Sequence, residues 1–113
     1  MPPELVTISE RIASLRNRSA SAAGGQALVA EIEDALAHGY AEALAGDAWS
    51  MRTEQRLQEL ISDTDVPLRG RELRVLATEH SGFQRDLIAL RRELAELCHD
   101  RDRLRAGSHA TSA

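Results

Sequence analysis

The sequence predicts an all-α protein. Ala, Leu, Glu and Arg dominate the chain and β-branched residues are few, which is the composition of long helices and argues against a sheet. Between Leu73 and Leu104, apolar side chains fill eight of ten positions in an unbroken three-four spacing, which is the pattern of a helix that buries one stripe against another helix. With one Trp, one Tyr and one Phe, the core must be built mainly from Leu and Ala.

The length of 113 residues predicts a single helical domain, 1–113. Within it we expect a short helix and flexible linker over 1–25, a helical hairpin over 26–105 and a disordered tail over 106–113. The net charge is −4 and opposite charges alternate along the helical segments, so the chain has no bulk attraction for phosphate backbones.

The N-terminal segment has the features of a short amphipathic helix. Thr7 and Glu10 have the spacing of a capping box, and Ile8, Ile12 and Leu15 then lie on one face. A helix this short is marginal alone, so it either packs on the main body or frays. The small and polar run 18–25 that follows predicts a flexible linker.

The first long helix is predicted over 26–62. Its buried stripe passes from Ile32 and Leu36 through small residues to Leu57 and Leu60. The small positions are Gly39, Ala43, Gly46, Ser50 and Thr53. Such positions let a neighbouring helix approach closely. The sequence favours one continuous helix, although a break with Asp47 as N-cap is the alternative.

The second long helix is predicted over 70–105. Asp63 to Pro67 are turn formers, and Pro67 disfavours helical geometry at Val66, so the first helix must end before this segment. Ser81 and Gly82 are a weak point, but the heptad spacing crosses them without a skip. His80 and Arg101 are the polar residues of the seam and are expected to fix its register, with a pH-responsive role for His80 as the alternative.

The two long segments are similar in length and joined by a short turn, so we expect them to pack as an antiparallel hairpin. Pairing them about Val66 places Trp49 against Phe83 and Ser50 opposite Gly82. A hairpin alone cannot bury all of its apolar surface, which predicts a homodimer in the form of a four-helix bundle. The expected helix-packing and interface residues are Trp49, Leu73, Leu76, His80, Phe83, Leu87, Leu90, Leu94, Leu97 and Leu104.

The charges beside the seam are one-sided. With Leu73 at heptad position a, every g position is acidic: Glu72, Glu79, Asp86, Glu93 and Asp100. The e positions include Arg91 and Arg105. If this helix pairs with a copy of itself, a parallel arrangement sets acids against bases, whereas an antiparallel one sets acids against acids. A solvent-exposed acidic face is the alternative.

Two other chemistries have weak footholds. Arg69, Arg71 and Arg74, or the arginines between 91 and 105, could contact nucleic acid, but acids break up both groups, so a nucleic-acid-associated regulator is only an alternative. Glu96 and His99 match the Glu-x-x-His pattern of dinuclear metal bundles, with Glu33 as a neighbour, but both lie off the seam. We therefore assign no metal ligand, cofactor or catalytic residue.

The sequence thus favours a non-enzymatic helical module for protein–protein interaction or regulation. Its expected mechanism is helix-in-groove recognition, with the N-terminal helix as a further partner-binding element. The single Cys98 cannot form an internal disulfide, no membrane span or signal peptide is evident, and all 14 basic residues are Arg. These features favour a cytoplasmic and bacterial protein.

Overall fold

The computed structural model describes residues 2–21, 25–62 and 69–111, and these form three helices without a strand. They are α1 (Val6–Ser21), α2 (Gln26–Ser62) and α3 (Arg69–Thr111). The helices lie side by side in a body of 72 × 18 × 15 Å. The all-α prediction is confirmed. The predicted turn over 63–67 lies outside the described residues.

Helix α1 begins one residue before the predicted cap. The cap is the side chain of Glu4, which accepts hydrogen bonds from Thr7 N at 3.0 Å and Thr7 Oγ1 at 2.8 Å. These bonds, the Thr7 hydroxyl first, lower the pKa of Glu4. The capping box at Thr7 is therefore wrong, because a carboxylate upstream reaches the free amide first. The predicted apolar face is confirmed, since Ile8, Ile12 and Leu15 are buried.

The predicted linker over 18–25 is also wrong in its first part, since α1 continues to Ser21. Ser19 is buried, and its hydroxyl donates to Arg16 O at 2.9 Å within the helix. A serine that bonds its own preceding turn is compatible with helix, which composition alone does not indicate. Residues 22–24 lie outside the described residues.

Both long helices are continuous. Helix α2 passes through Gly46 and α3 passes through Gly82 without a break, as the heptad spacing predicts. Helix α3 also extends beyond the predicted end at Arg105, so the predicted disordered tail is helical as far as Thr111. Adding a residue to an existing helix costs far less than starting one, and weak helix formers can therefore follow a strong segment.

Helices α2 and α3 pack with opposite directions. Glu33, near the start of α2, pairs with Arg105, whereas Arg56, near its end, pairs with Glu72. The small residues of α2 face α3, as expected. A Cβ atom on Gly39 would overlap Cδ2 of Leu94, so the glycine is needed for the close approach.

Helix α1 packs against the first part of α2 and the C-terminal part of α3, and it completes a three-helix core. Its basic side chains reach both long helices: Arg11 and Arg18 bind Asp34 and Glu31 of α2, and Arg16 binds Glu96 of α3. Helix α1 therefore runs antiparallel to α2 and parallel to α3. Because it has 16 residues against 43 in α3, it covers only part of the long helices.

Candidate interaction surface

Eight of the ten residues of the expected helix-packing set are buried within the chain itself. Leu90, Leu94 and Leu97 are fully buried, and Phe83, Leu87 and Leu104 are nearly so. Leu73 and Leu76, beyond the reach of α1, are only half-buried. The heptad seam is thus used within one chain, and any surface for a partner must lie elsewhere or at the less covered end.

The middle of the long helices holds the predicted aromatic contact. The ring centroids of Trp49 and Phe83 are 4.7 Å apart with an interplanar angle of 65°, an edge-to-face geometry. His80 lies beside them, with its Nε2 atom 2.9 Å from Ser50 Oγ and 3.6 Å from Glu54 Oε1. The polar seam residue His80 therefore finds its partners on α2 of the same chain.

Gly82 does not face Ser50. A Cβ atom placed on Gly82 would meet nothing nearer than Arg85 Nη2 at 4.0 Å, so the residue faces open space. The predicted opposition is wrong because Gly82 precedes the seam residue Phe83, and one residue turns the helix by about 100°. The missing side chain at Gly82 instead opens a groove on the outer side of α3.

This groove lies between the N-terminal part of the chain and α3, with a volume of about 790 Å³. Pro2, Pro3 and Leu5 line one side, and Phe83 and Ala89 line the other. We call it the α1–α3 groove. Helix α1 begins beside it, and beyond this point the long helices continue without a third helix among the described residues.

The groove is acidic. Of the described residues that line it, five are carboxylates and none is basic: Glu4, Glu10, Glu79, Asp86 and Glu93. These five are also the carboxylates in the described part of the chain that have no ion pair. Each of the other described Asp and Glu side chains lies within 4.0 Å of an Arg or His nitrogen. Among the residues that the structure describes, the carboxylates without an ion pair are therefore concentrated along one groove.

One carboxylate oxygen in the groove is buried without a hydrogen-bond donor. It is Oε2 of Glu93, a residue whose charge also raises the pKa of Arg16. The larger influence on Arg16 is its hydrogen bond to Asp100, at 2.9 Å. Near the end of α1, Arg16 thus pairs with the acids Glu96 and Asp100 of α3. Nearer the start of α1, no described basic side chain pairs with the acids of α3 that line the groove. A basic side chain of another molecule that entered the groove would supply the hydrogen-bond donor that Glu93 Oε2 lacks.

Five described arginines have no ion pair: Arg52, Arg71, Arg74, Arg85 and Arg92. Of the arginines that suggested nucleic-acid contact, Arg91 binds Asp47, Arg103 binds Asp100, and Arg105 binds Glu33. Arg101 contacts its neighbour Asp102. The second basic group is therefore largely paired within the chain, and four of the five unpaired arginines lie on α3.

The metal hypothesis finds no support in the geometry. Glu33 pairs with Arg105, and Glu96 pairs with Arg16, so neither is directed at His99. Within the described ranges, no three His, Cys, Asp or Glu side chains converge as metal ligands. Cys98 is half-buried. Its Sγ atom lies 3.5 Å from the Tyr40 hydroxyl, and this contact is the main reason that the pKa of Tyr40 is raised.

Comparison of the chain with protein-family models, with curated proteins and with solved structures finds no significant match. Among the described helices, none combines the length and apolar character that a bilayer crossing requires. The functional interpretation therefore depends on the surfaces of this molecule alone.

Sequence reasoning identified the acids of this groove on α3 but not the groove. The heptad assignment places Glu79, Asp86 and Glu93 together at g positions, which is correct for α3 alone. The contribution of α1 could not be predicted, because nothing in its sequence states which flank of α3 it packs against. The signal that was available is Gly82, a residue without a side chain on the strip beside those acids.

Proposed function

We propose that this chain is a non-enzymatic helical interaction module that self-associates through its long helices. The two antiparallel long helices form a hairpin, and two hairpins combine as a four-helix bundle that includes the end which α1 does not reach. The proposal places the module in the bacterial cytoplasm, supported by a single cysteine without a pairing partner and by the use of Arg for every basic residue.

The observation that carries the proposal is the uneven coverage of α3. Where α1 packs, Leu90, Leu94 and Leu97 are 0 % exposed, whereas Leu73 and Leu76 are half-buried and Val75 is 59 % exposed. Burial of one aliphatic side chain is worth about 1.5–3 kcal/mol, so this end of the molecule gains stability when another helix covers it. A second hairpin supplies such a helix.

The charges at this end permit two copies to meet. Between Met51 and Ser62, Arg52 and Arg56 are balanced by Glu54 and Glu59. The segment 70–82 of α3 is balanced in the same way by two arginines and two glutamates. The Arg and Glu side chains of each segment therefore sum to no net charge, and like-charge repulsion between these segments does not oppose association.

The test compares two substitutions at equally exposed aliphatic residues of α3. Val75 and Ile88 are each 59 % exposed, but Val75 lies at the end that α1 leaves uncovered, whereas Ile88 lies on the opposite flank beside Met51. We expect Val75→Glu to weaken the dimer in sedimentation equilibrium and Ile88→Glu to leave it intact. If only Ile88→Glu dissociates the dimer, the interface lies on the other side of the hairpin and the proposed surface is wrong.

A further inference from the structure

The α1–α3 groove and the outer strip of α3 beside it form a self-complementary pattern of charge. With Leu73 at position a, the g positions 79, 86 and 93 are three of the five unpaired acids of the groove. The f positions 71, 85 and 92 are unpaired arginines, and Thr78 occupies the f position between 71 and 85. The c positions between these strips are Val75, Gly82 and Ala89. On a helical wheel, c lies between g and f, so a small apolar strip separates a line of acids from a line of bases.

Most described charged side chains outside these two strips form ion pairs within the chain, so the unpaired charges of the strips are free to bind a partner. The acids of the groove have no ion pair, although Arg85 is adjacent in sequence to Asp86 and Arg92 to Glu93. Side chains at consecutive helical positions point about 100° apart and do not face each other. The groove acids of one molecule are therefore best matched by the arginines of a second copy, and its arginines by the acids of that copy.

We propose that a second copy of this chain docks with its α3 parallel to α3 of the first, along the c strip, and places Arg85 and Arg92 in the acidic α1–α3 groove. This inference rests on the proposed self-association and specifies its surface and direction. In a parallel pair related by a two-fold axis, the c positions of the two helices lie at the centre of the contact. The g flank of each helix then faces the f flank of the other. Asp86 then meets Arg85 of the second copy, and Glu93 meets Arg92.

The shape of the surface agrees with this arrangement. Gly82 has open space where a side chain would lie, and Ala89 is small and exposed, so two α3 backbones can approach closely. Val75 extends the apolar strip towards the end that α1 leaves uncovered. At the other end the strip closes, because Arg16 of α1 binds Glu96 and Asp100. The surface therefore runs from about residue 71 to about residue 93.

An antiparallel arrangement of the same strips is unfavourable. A two-fold axis perpendicular to the helices sets the g flank against its own copy, which brings the groove acids of both molecules together and the arginines of both together. The groove already holds five carboxylates, so further acids would increase the repulsion. The direction of pairing follows from the charge pattern.

The first experiment reverses the charges on one strip at a time. An acidic variant carries Arg85→Glu and Arg92→Glu, and a basic variant carries Glu79→Arg and Asp86→Arg. None of these four residues has an ion pair within the chain, so the fold should be retained, as circular dichroism will show. We expect the homodimer dissociation constant of each variant to rise by about tenfold or more at low salt, and an equimolar mixture of the two to form a heterodimer.

Arg18→Glu is the control, since Arg18 is an exposed arginine of α1 that lies away from both strips and from the uncovered end of the long helices. Its dissociation constant should change by less than about twofold. If the wild-type chain is a monomer, the proposed function itself fails. If the wild-type chain is a dimer and the charge-reversed variants dimerise equally well, self-association stands and this inference is overturned.

The second experiment tests direction with two single-cysteine additions, Gly82→Cys and Ala89→Cys. In a parallel two-fold arrangement along the c strip, each c position of α3 faces its own copy, so both variants should form an intermolecular disulfide under mild oxidation. An antiparallel arrangement can do so at only one of the two positions, and that result would overturn the inference. The wild-type chain is the control, because Cys98 lies on the opposite side of α3 from Gly82.

Discussion

Phe83 and its neighbour Gly82, at the middle of α3, show which side-chain positions could be predicted from the sequence. The Trp49–Phe83 contact follows from pairing two helices of similar length about a turn, and the structure confirms it. The same pairing places Gly82 wrongly, because an axial match does not specify rotation about the helix. Position along a helix was therefore predictable here, whereas direction around it was predictable only for residues on the heptad seam.

Trp49→Ala should lower the free energy of unfolding by about 3–5 kcal/mol. The indole is buried and packs against both Phe83 and His80, so truncation leaves a cavity that rigid helices cannot close. Urea denaturation followed by circular dichroism measures the change. A loss below about 1 kcal/mol would place Trp49 outside the core.

At the scale of one helix, the small residues of α2 were the informative signal. Gly39 and Gly46 lower helix propensity, but both are buried against α3, and the close approach of the two helices depends on them. The continuity of α2 was predictable because the heptad spacing crosses Gly46 without a skip. The ends of the helices were harder to predict, because the Glu4 cap depends on local hydrogen bonds and the extension to Thr111 depends on weak helix propensities.

The two glycines Gly39 and Gly82 should respond to alanine in opposite ways. In an exposed helix, Gly→Ala stabilises by about 0.5–1 kcal/mol. Gly82→Ala should do so in the monomer, at concentrations below the dimer dissociation constant, because its Cβ atom there meets open space. Gly39→Ala should instead destabilise the protein, because its Cβ atom overlaps the fully buried Leu94. Thermal unfolding of both variants checks the sign; stabilisation by Gly39→Ala would refute the close packing of α2 on α3.

The docking of α1 depends on Arg16 more than on its other ion pairs. Asp100, which Arg16 binds at 2.9 Å, has a side chain only 10 % exposed, and removal of Arg16 leaves this carboxylate with only the longer contact to Arg103, at 3.6 Å, as its ion pair. We expect Arg16→Gln to cost about 1–3 kcal/mol of unfolding free energy.

Arg11→Gln is the control for Arg16→Gln. Arg11 pairs with Asp34, whose side chain is 76 % exposed, and such surface pairs are worth less than about 1 kcal/mol. Chemical denaturation of the two variants under the same conditions separates them. Equal losses of unfolding free energy in the two variants would mean that the pairing of Arg16 with Asp100 does not stabilise the docking of α1.

At the scale of the whole molecule, the three helices form a core along part of their length and leave an end at which apolar side chains are only partly covered. The all-α class was predictable from composition and spacing. The coverage by α1 was not, because a short amphipathic helix can pack on either flank of a long pair. This coverage decides which acids of α3 are paired with arginine and which line an open groove, and it therefore decides the surface through which we propose that two copies meet.

The central claim is that the molecule self-associates, and the mass of the wild-type chain in solution tests it most directly. Light scattering with multi-angle detection over a range of concentrations at low salt should approach twice the 12.4 kDa mass of one chain. The mass should fall as salt screens the charged strips. A mass of 12.4 kDa at every concentration up to the solubility limit would contradict the account.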